Sequence, residues 1–139
     1  MMIRTSLAAL ALAAIAATAQ AQALSPEDIV HRHMDFAAKG DVNGIVGDYA
    51  DDGETVTATG ATVGKDALRA LFTRMLGGPR PAPGAPGGMK ADRIWTEGNV
   101  GFVSWEQGPI KGTDAFVVKD GKIQVQSVFL SGPPPAPPK

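Results

Sequence analysis

Two histidines, one tyrosine, two tryptophans and 14 acids are the side chains of this 139-residue chain that could hold or move a proton. Cysteine is absent, which excludes disulfides, thiolate metal sites, iron-sulfur clusters and a cysteine nucleophile. His31 and His33 lie two apart on an expected helix and so point to different sides, and no metal site is expected. The paired acids Asp51 and Asp52 precede Gly53 and read as turn residues. No phosphate-cradling loop, dinucleotide fingerprint or nucleophile elbow is present, and no cofactor is expected. What remains is His33 on an apolar helix face and Asp114 alternating with Phe116 and Val118 on an expected strand. A buried imidazole and a buried carboxylate each need a partner, and a cavity that joined these two would satisfy both. The chemistry they could perform is acid-base exchange near neutral pH, with Asp114 orienting His33.

The elements that must position them are legible from periodicity. Ser25-Pro26-Glu27-Asp28 starts a helix that runs to about Lys39, with Ile29, Val30, His33, Met34, Phe36 and Ala37 on one side. Gly40 closes it and Asp41 caps a short helix, Val42 to Tyr49, whose Val42, Ile45, Val46 and Tyr49 share a face. A turn at Ala50 to Gly53 leads into a strand from Glu54 to Thr59, which forms a hairpin ending at Gly64. Lys65 to Leu76 carries the clearest amphipathic pattern in the chain. Gly77 to Gly88 is a Gly/Pro-rich loop, expected either to cover a cavity or to be a surface insertion. Strands follow at Lys90 to Trp95, Val100 to Glu106, Gly112 to Lys119 and Lys122 to Leu130, the last two joined at Asp120-Gly121. The periodicity leaves open which face of its strand Trp105 occupies.

The two ends are different in kind. Residues 1–21 read as a secretory signal peptide: Arg4, an apolar run from Leu7 to Ala17, and cleavage after Ala21 or Ala23. The run is too short to span a bilayer, so no membrane span is expected after processing and the product is periplasmic or secreted. Residues 25–130 form one domain, and the Pro-rich residues 131–139 read as a disordered tail. A net charge of −1 with scattered basic residues excludes a nucleic-acid partner.

Gly40-Asp41-Val42 with Ile45, Tyr49-Ala50-Asp51-Asp52, Gly64 and Asp114 through Ile123 resemble the nuclear transport factor 2-like superfamily, in its SnoaL-like and ketosteroid-isomerase-like branch. The resemblance implies an α+β fold, a curved antiparallel sheet forming a cone with three helices packed against it. It also implies an apolar pocket open at one end and a homodimer through the outer face of the sheet. In steroid-type isomerases the pocket presents a Tyr, an Asp base and a protonated Asp. By motif these fall on His33, on Thr57 or Ala58, and on Asp114, so the base of that mechanism is missing. Tyr49, Phe72, Trp95, Phe116 and Leu130 are the expected pocket residues. Three functions fit, in this order: binding of a small apolar or aromatic molecule; isomerase, dehydratase or cyclase chemistry through His33 and Asp114; a protein-interaction module.

Overall fold

A computed structural model describes residues 22–82 and 85–131. The expected signal peptide and the tail beyond Ser131 lie outside these residues. Helix α1 spans Pro26–Lys39 and α2 spans Val42–Asp48. Strands β1 (Tyr49–Thr57) and β2 (Gly60–Val63) precede α3 (Lys65–Leu76). Four strands complete the domain: β3 (Met89–Glu97), β4 (Val100–Gln107), β5 (Ile110–Lys119) and β6 (Lys122–Ser131).

Local signals act where expected. The Ser25 hydroxyl accepts from the Asp28 amide while the Asp28 carboxylate accepts from Ser25, a reciprocal cap with Pro26 behind it. Gly40 ends α1 at φ 71°, a conformation that costs glycine nothing. Asp120 and Gly121 both have positive φ, as a two-residue turn between twisted antiparallel strands requires.

The six strands form one open sheet in the order β2-β1-β6-β5-β4-β3. Two expectations need correction. The sheet is mixed, because β1 runs parallel to β6. The stretch Ala50 to Gly53 belongs to strand β1, with Tyr49 as its first residue. Its irregularity survives as a register shift between Tyr49 and Glu54 against β6. Turn propensity at Asp51-Asp52-Gly53 yields to pairing with a strand about 70 residues away, and Asp51 ends as an exposed partner of Lys65 at 3.0 Å.

All three helices cover one face. α1 lies across β3, β4 and β5, while α3 lies against β1, β2 and α2. The core between them contains Ile29, Val30, Ile45, Leu68, Phe116 and Ile123. On β4, Val103 and Trp105 point inward, which settles the face of Trp105. Gly112 is the cross-strand partner of Trp105 and leaves the space its indole occupies.

Candidate functional site

Because α1 and α3 rest on opposite halves of the sheet, they leave a cavity of about 620 Å³ between them. Met34, Ala37 and Ala38 of α1 and Leu71, Phe72, Met75 and Leu76 of α3 form its apolar walls. Met75 and Leu130 are 62% exposed and Ile110 is 38% exposed, and these residues mark the rim. The partly wet apolar face of α3 is thus explained: Leu68 and Phe72 are buried, and the rest of the stripe faces the cavity or its rim.

The segment after α3 also belongs to the wall, with Gly78 to Pro81 and Gly88 lining it. Arg80 fixes this segment by donating from Nη1 to the Ala37 carbonyl at 2.8 Å and from Nη2 to the Leu76 carbonyl at 2.6 Å. One guanidinium therefore serves two helix C-termini, at the Leu76 carbonyl and at the Ala37 carbonyl, which also accepts from the Gly40 amide at 3.1 Å.

The floor is polar and buried. Asp114 accepts from Trp105 Nε1 at 2.9 Å and from Gln126 Nε2 at 2.8 Å. The Gln126 carbonyl accepts from the Tyr49 hydroxyl, which is also 2.9 Å from Thr55 Oγ1. Since the Tyr49 proton goes to Gln126, Thr55 is the donor to Tyr49, and the chain of bonds ends on Asp114. Burial pushes the Asp114 carboxyl above the usual carboxylate range, against the pull of Trp105, Gln126 and nearby His33. Burial also raises the Tyr49 hydroxyl well above its ordinary value, against the pull of Thr55.

His33 lines the same cavity and is 2% exposed. Tyr49, Phe72 and Phe116 meet its ring edge to face, with centroids at 5.8, 6.2 and 5.1 Å. His33 and Asp114 are thus brought to one cavity, as their positions on α1 and β5 suggest. The bonds of Asp114 go to Trp105 and Gln126, however, and the carboxylate facing His33 Nδ1 is that of Asp48, at 3.4 Å.

Of the other expected pocket residues, Phe72 and Leu130 are in the cavity lining. Tyr49 is fully buried and contributes through its hydroxyl to the floor, while Phe116 is fully buried behind His33. Trp95 is on the far side of the sheet. Ile94 pairs with inward-facing Val103, so the neighbouring residue points away, and Trp95 stacks on Phe102 at 5.1 Å. Thr57 and Ala58 both line the cavity, and neither side chain can take up a proton at neutral pH.

Sequence reasoning missed Asp48, Thr55, Gln126 and the part played by Arg80. Gln126 has a specific reason: the turn at Asp120-Gly121 pairs Val118 with Ile123, and unbroken pairing would set Phe116 opposite Val125. A bulge between Val117 and Val118 sets Phe116 opposite Gln126 and turns that amide inward. Among the described residues no three His, Cys, Asp or Glu side chains converge to hold a metal ion.

The sequence profile of the SnoaL-like domain matches residues 30–126. No protein of curated function matches the chain. Among solved structures, an NTF2-like protein of unknown function from Burkholderia xenovorans superposes with a TM-score of 0.62 at 23% identity, covering 78% of this chain and 84% of its own. A protein from Sinorhizobium meliloti assigned provisionally as a polyketide cyclase gives 0.62 at 18% identity, with 73% and 93% covered. A protein from Kribbella flavida assigned provisionally as a ketosteroid isomerase gives 0.61 at 14% identity, with 82% and 83% covered. At such identities the likeness concerns the fold.

Proposed function

We propose that this chain, which belongs to the SnoaL-like domain family, binds a small, mostly apolar molecule with an oxygen-bearing end in the cavity between α1, α3 and the sheet. The observation that carries this reading is the pairing of apolar helix walls with a buried polar floor of Asp114, Gln126, Thr55 and His33. A volume of about 620 Å³ falls in the range of ligand sites, roughly 300 to 1,000 Å³. The walls supply area, and the floor supplies orientation.

The test is a thermal-shift screen of steroids, phenols, short polyketides and fatty acids against the wild type and an Ala38→Trp variant that sets an indole in the cavity wall. A ligand at about 100 times its Kd adds roughly 2.7 kcal/mol of stability. Stabilisation of the wild type alone is expected. Equal stabilisation of both proteins, or none of either by any class, would remove the reading.

Turnover by His33 and Asp114 is the second reading. It is favoured by the raised Asp114 carboxyl in the same cavity as His33, and by the provisional cyclase and isomerase assignments of two structural neighbours. It predicts a pH-dependent rate lost in both His33→Ala and Asp114→Asn. The expected homodimer is kept on the outer sheet face, where Trp95 stacks on Phe102 and Phe129 is 63% exposed; sedimentation of Phe129→Lys tests it. Export is kept on the sequence of residues 1–21, and N-terminal sequencing of the exported product should begin at Gln22 or Leu24.

A further inference from the structure

Asp48 has no place in the reading above, yet its surroundings are unusual. It closes α2, where a carboxylate meets the negative end of its own helix, and it is 1% exposed. Arg32 supplies the balancing charge, with Nη2 2.6 Å from Asp48 Oδ1. The other oxygen, Oδ2, is sealed from solvent and has no hydrogen-bond partner, and His33 Nδ1 is in the same condition. These two atoms face each other at 3.4 Å. Arg32 Nε, also sealed and without a partner, can donate to Oδ2 as well, but the ring nitrogen facing Oδ2 is satisfied only with the proton on Nδ1, which a slight turn of either side chain completes. The opposite tautomer sets lone pair against lone pair between two atoms sealed from solvent.

We propose that Asp48, anchored by Arg32, is a positioning residue that holds neutral His33 as its Nδ1–H tautomer, so that Nε2 presents a lone pair to the cavity. The rings of Tyr49, Phe72 and Phe116 pack edge to face around the imidazole and hold its plane. Neither Asp48 nor Arg32 lines the cavity, so the pair acts from behind the histidine. The consequence is a preference: this edge of the site accepts a hydrogen bond, and it selects a ligand hydroxyl over a carbonyl or ether oxygen. That preference rests on the cavity being a ligand site; the tautomer does not.

The tautomer is read directly from long-range proton–nitrogen correlations of the imidazoles in untagged, ¹⁵N-labelled protein in alkaline buffer. His31, the other histidine, is exposed and is assigned by His31→Gln. Wild-type His33 should show a pyrrole-type Nδ1 and a pyridine-type Nε2. Asp48→Asn should shift the population toward Nε2–H, the form favoured by free imidazole, while Arg32→Gln, which leaves the carboxylate in place, should keep Nδ1–H. An Nε2–H tautomer in the wild type overturns the assignment without any variant, and so does an unchanged pattern in a folded Asp48→Asn. The preference is tested with 4-propylphenol and its methyl ether. The phenol should bind at least about tenfold more tightly to the wild type, a gap that narrows in Asp48→Asn. Equal binding of the two overturns the preference. If neither binds and the tautomer is as stated, the ligand reading falls and the positioning role of Asp48 stands.

Discussion

Replacing Asp114 by asparagine should leave the protein as stable as the wild type or more so at neutral pH, whereas replacing it by leucine should be costly. Asp114 is 6% exposed and accepts two hydrogen bonds, and burial still holds its proton on above the usual carboxylate range. The folded protein therefore keeps a proton that the unfolded chain, with a carboxyl pKa of about 3.9, has lost. The stabilisation is complete below that value. It declines by about 1.4 kcal/mol per pH unit as the pH rises toward the folded-state value, and is level beyond it. Asparagine does not titrate, so the wild type should lose ground to Asp114→Asn across that acidic window.

The geometry permits the exchange. The carbonyl oxygen of the substituted asparagine could still accept from Trp105, and its amide would need an acceptor where Gln126 Nε2 now donates. Turning the Gln126 amide over provides one, and the chain reverses: Gln126 donates to Tyr49, and Tyr49 to Thr55. Every group keeps a partner. Leucine instead strands Trp105 Nε1 and Gln126 Nε2 at about 1 to 3 kcal/mol each, for a total of roughly 2 to 6 kcal/mol. Urea unfolding from acid to neutral pH measures all three proteins. A pH-independent difference between wild type and Asp114→Asn, or equal losses in the Asp114→Asn and Asp114→Leu variants, would refute the reasoning.

Gly112→Ala places a methyl group inside the Trp105 ring and should cost about 1 to 3 kcal/mol, with a shift in tryptophan emission as the indole leaves Asp114. An unchanged spectrum would contradict the packing described. Arg80→Ala removes two hydrogen bonds to helix-end carbonyls and should cost about 1 to 3 kcal/mol while speeding proteolytic cleavage between residues 77 and 88. Tyr49 is the single tyrosine, and its buried hydroxyl should ionise only as the protein unfolds in alkali. Its neutral form stabilises the fold, and that contribution is lost as pH rises past the unfolded value of about 10. A phenolate absorbance at that pH with native circular dichroism would be the contrary result.

The elements best read from sequence are those whose information is local. The bounds of α3, the caps of α1, the inward side of His33 and the turn at Asp120-Gly121 each depend on residues within a few positions of one another. The errors share a cause in the opposite direction. Tyr49 shares the apolar face of α2 and reads as the end of that helix, but it starts β1 because the chain there pairs with β6. Asp48 gives no sign of being the acid beside His33, since nothing in a seven-residue helix fixes how it meets α1. Gln126 faces inward through one extra residue in a ladder, which alternation alone reads as the opposite face. Asp114 is legible because β5 alternates without interruption from Gly112 to Val118.

The parallel pairing of β1 with β6 also governs the order in which this molecule can come into being. The last strand among the described residues is an interior strand of the sheet, with β1 on one side and β5 on the other. Until it is in place, the β1–β2 hairpin has no sheet to join, and the helices α2 and α3 that lie against it have no completed surface beneath them. Closure therefore joins segments about 70 residues apart, a contact pattern that slows folding relative to helices and hairpins alone. A chain still lacking its β6 residues has its sheet in two pieces, with the packing of α1 on α2 between them. Truncation within β6 should abolish the fold, where the same loss from an edge strand would only fray it.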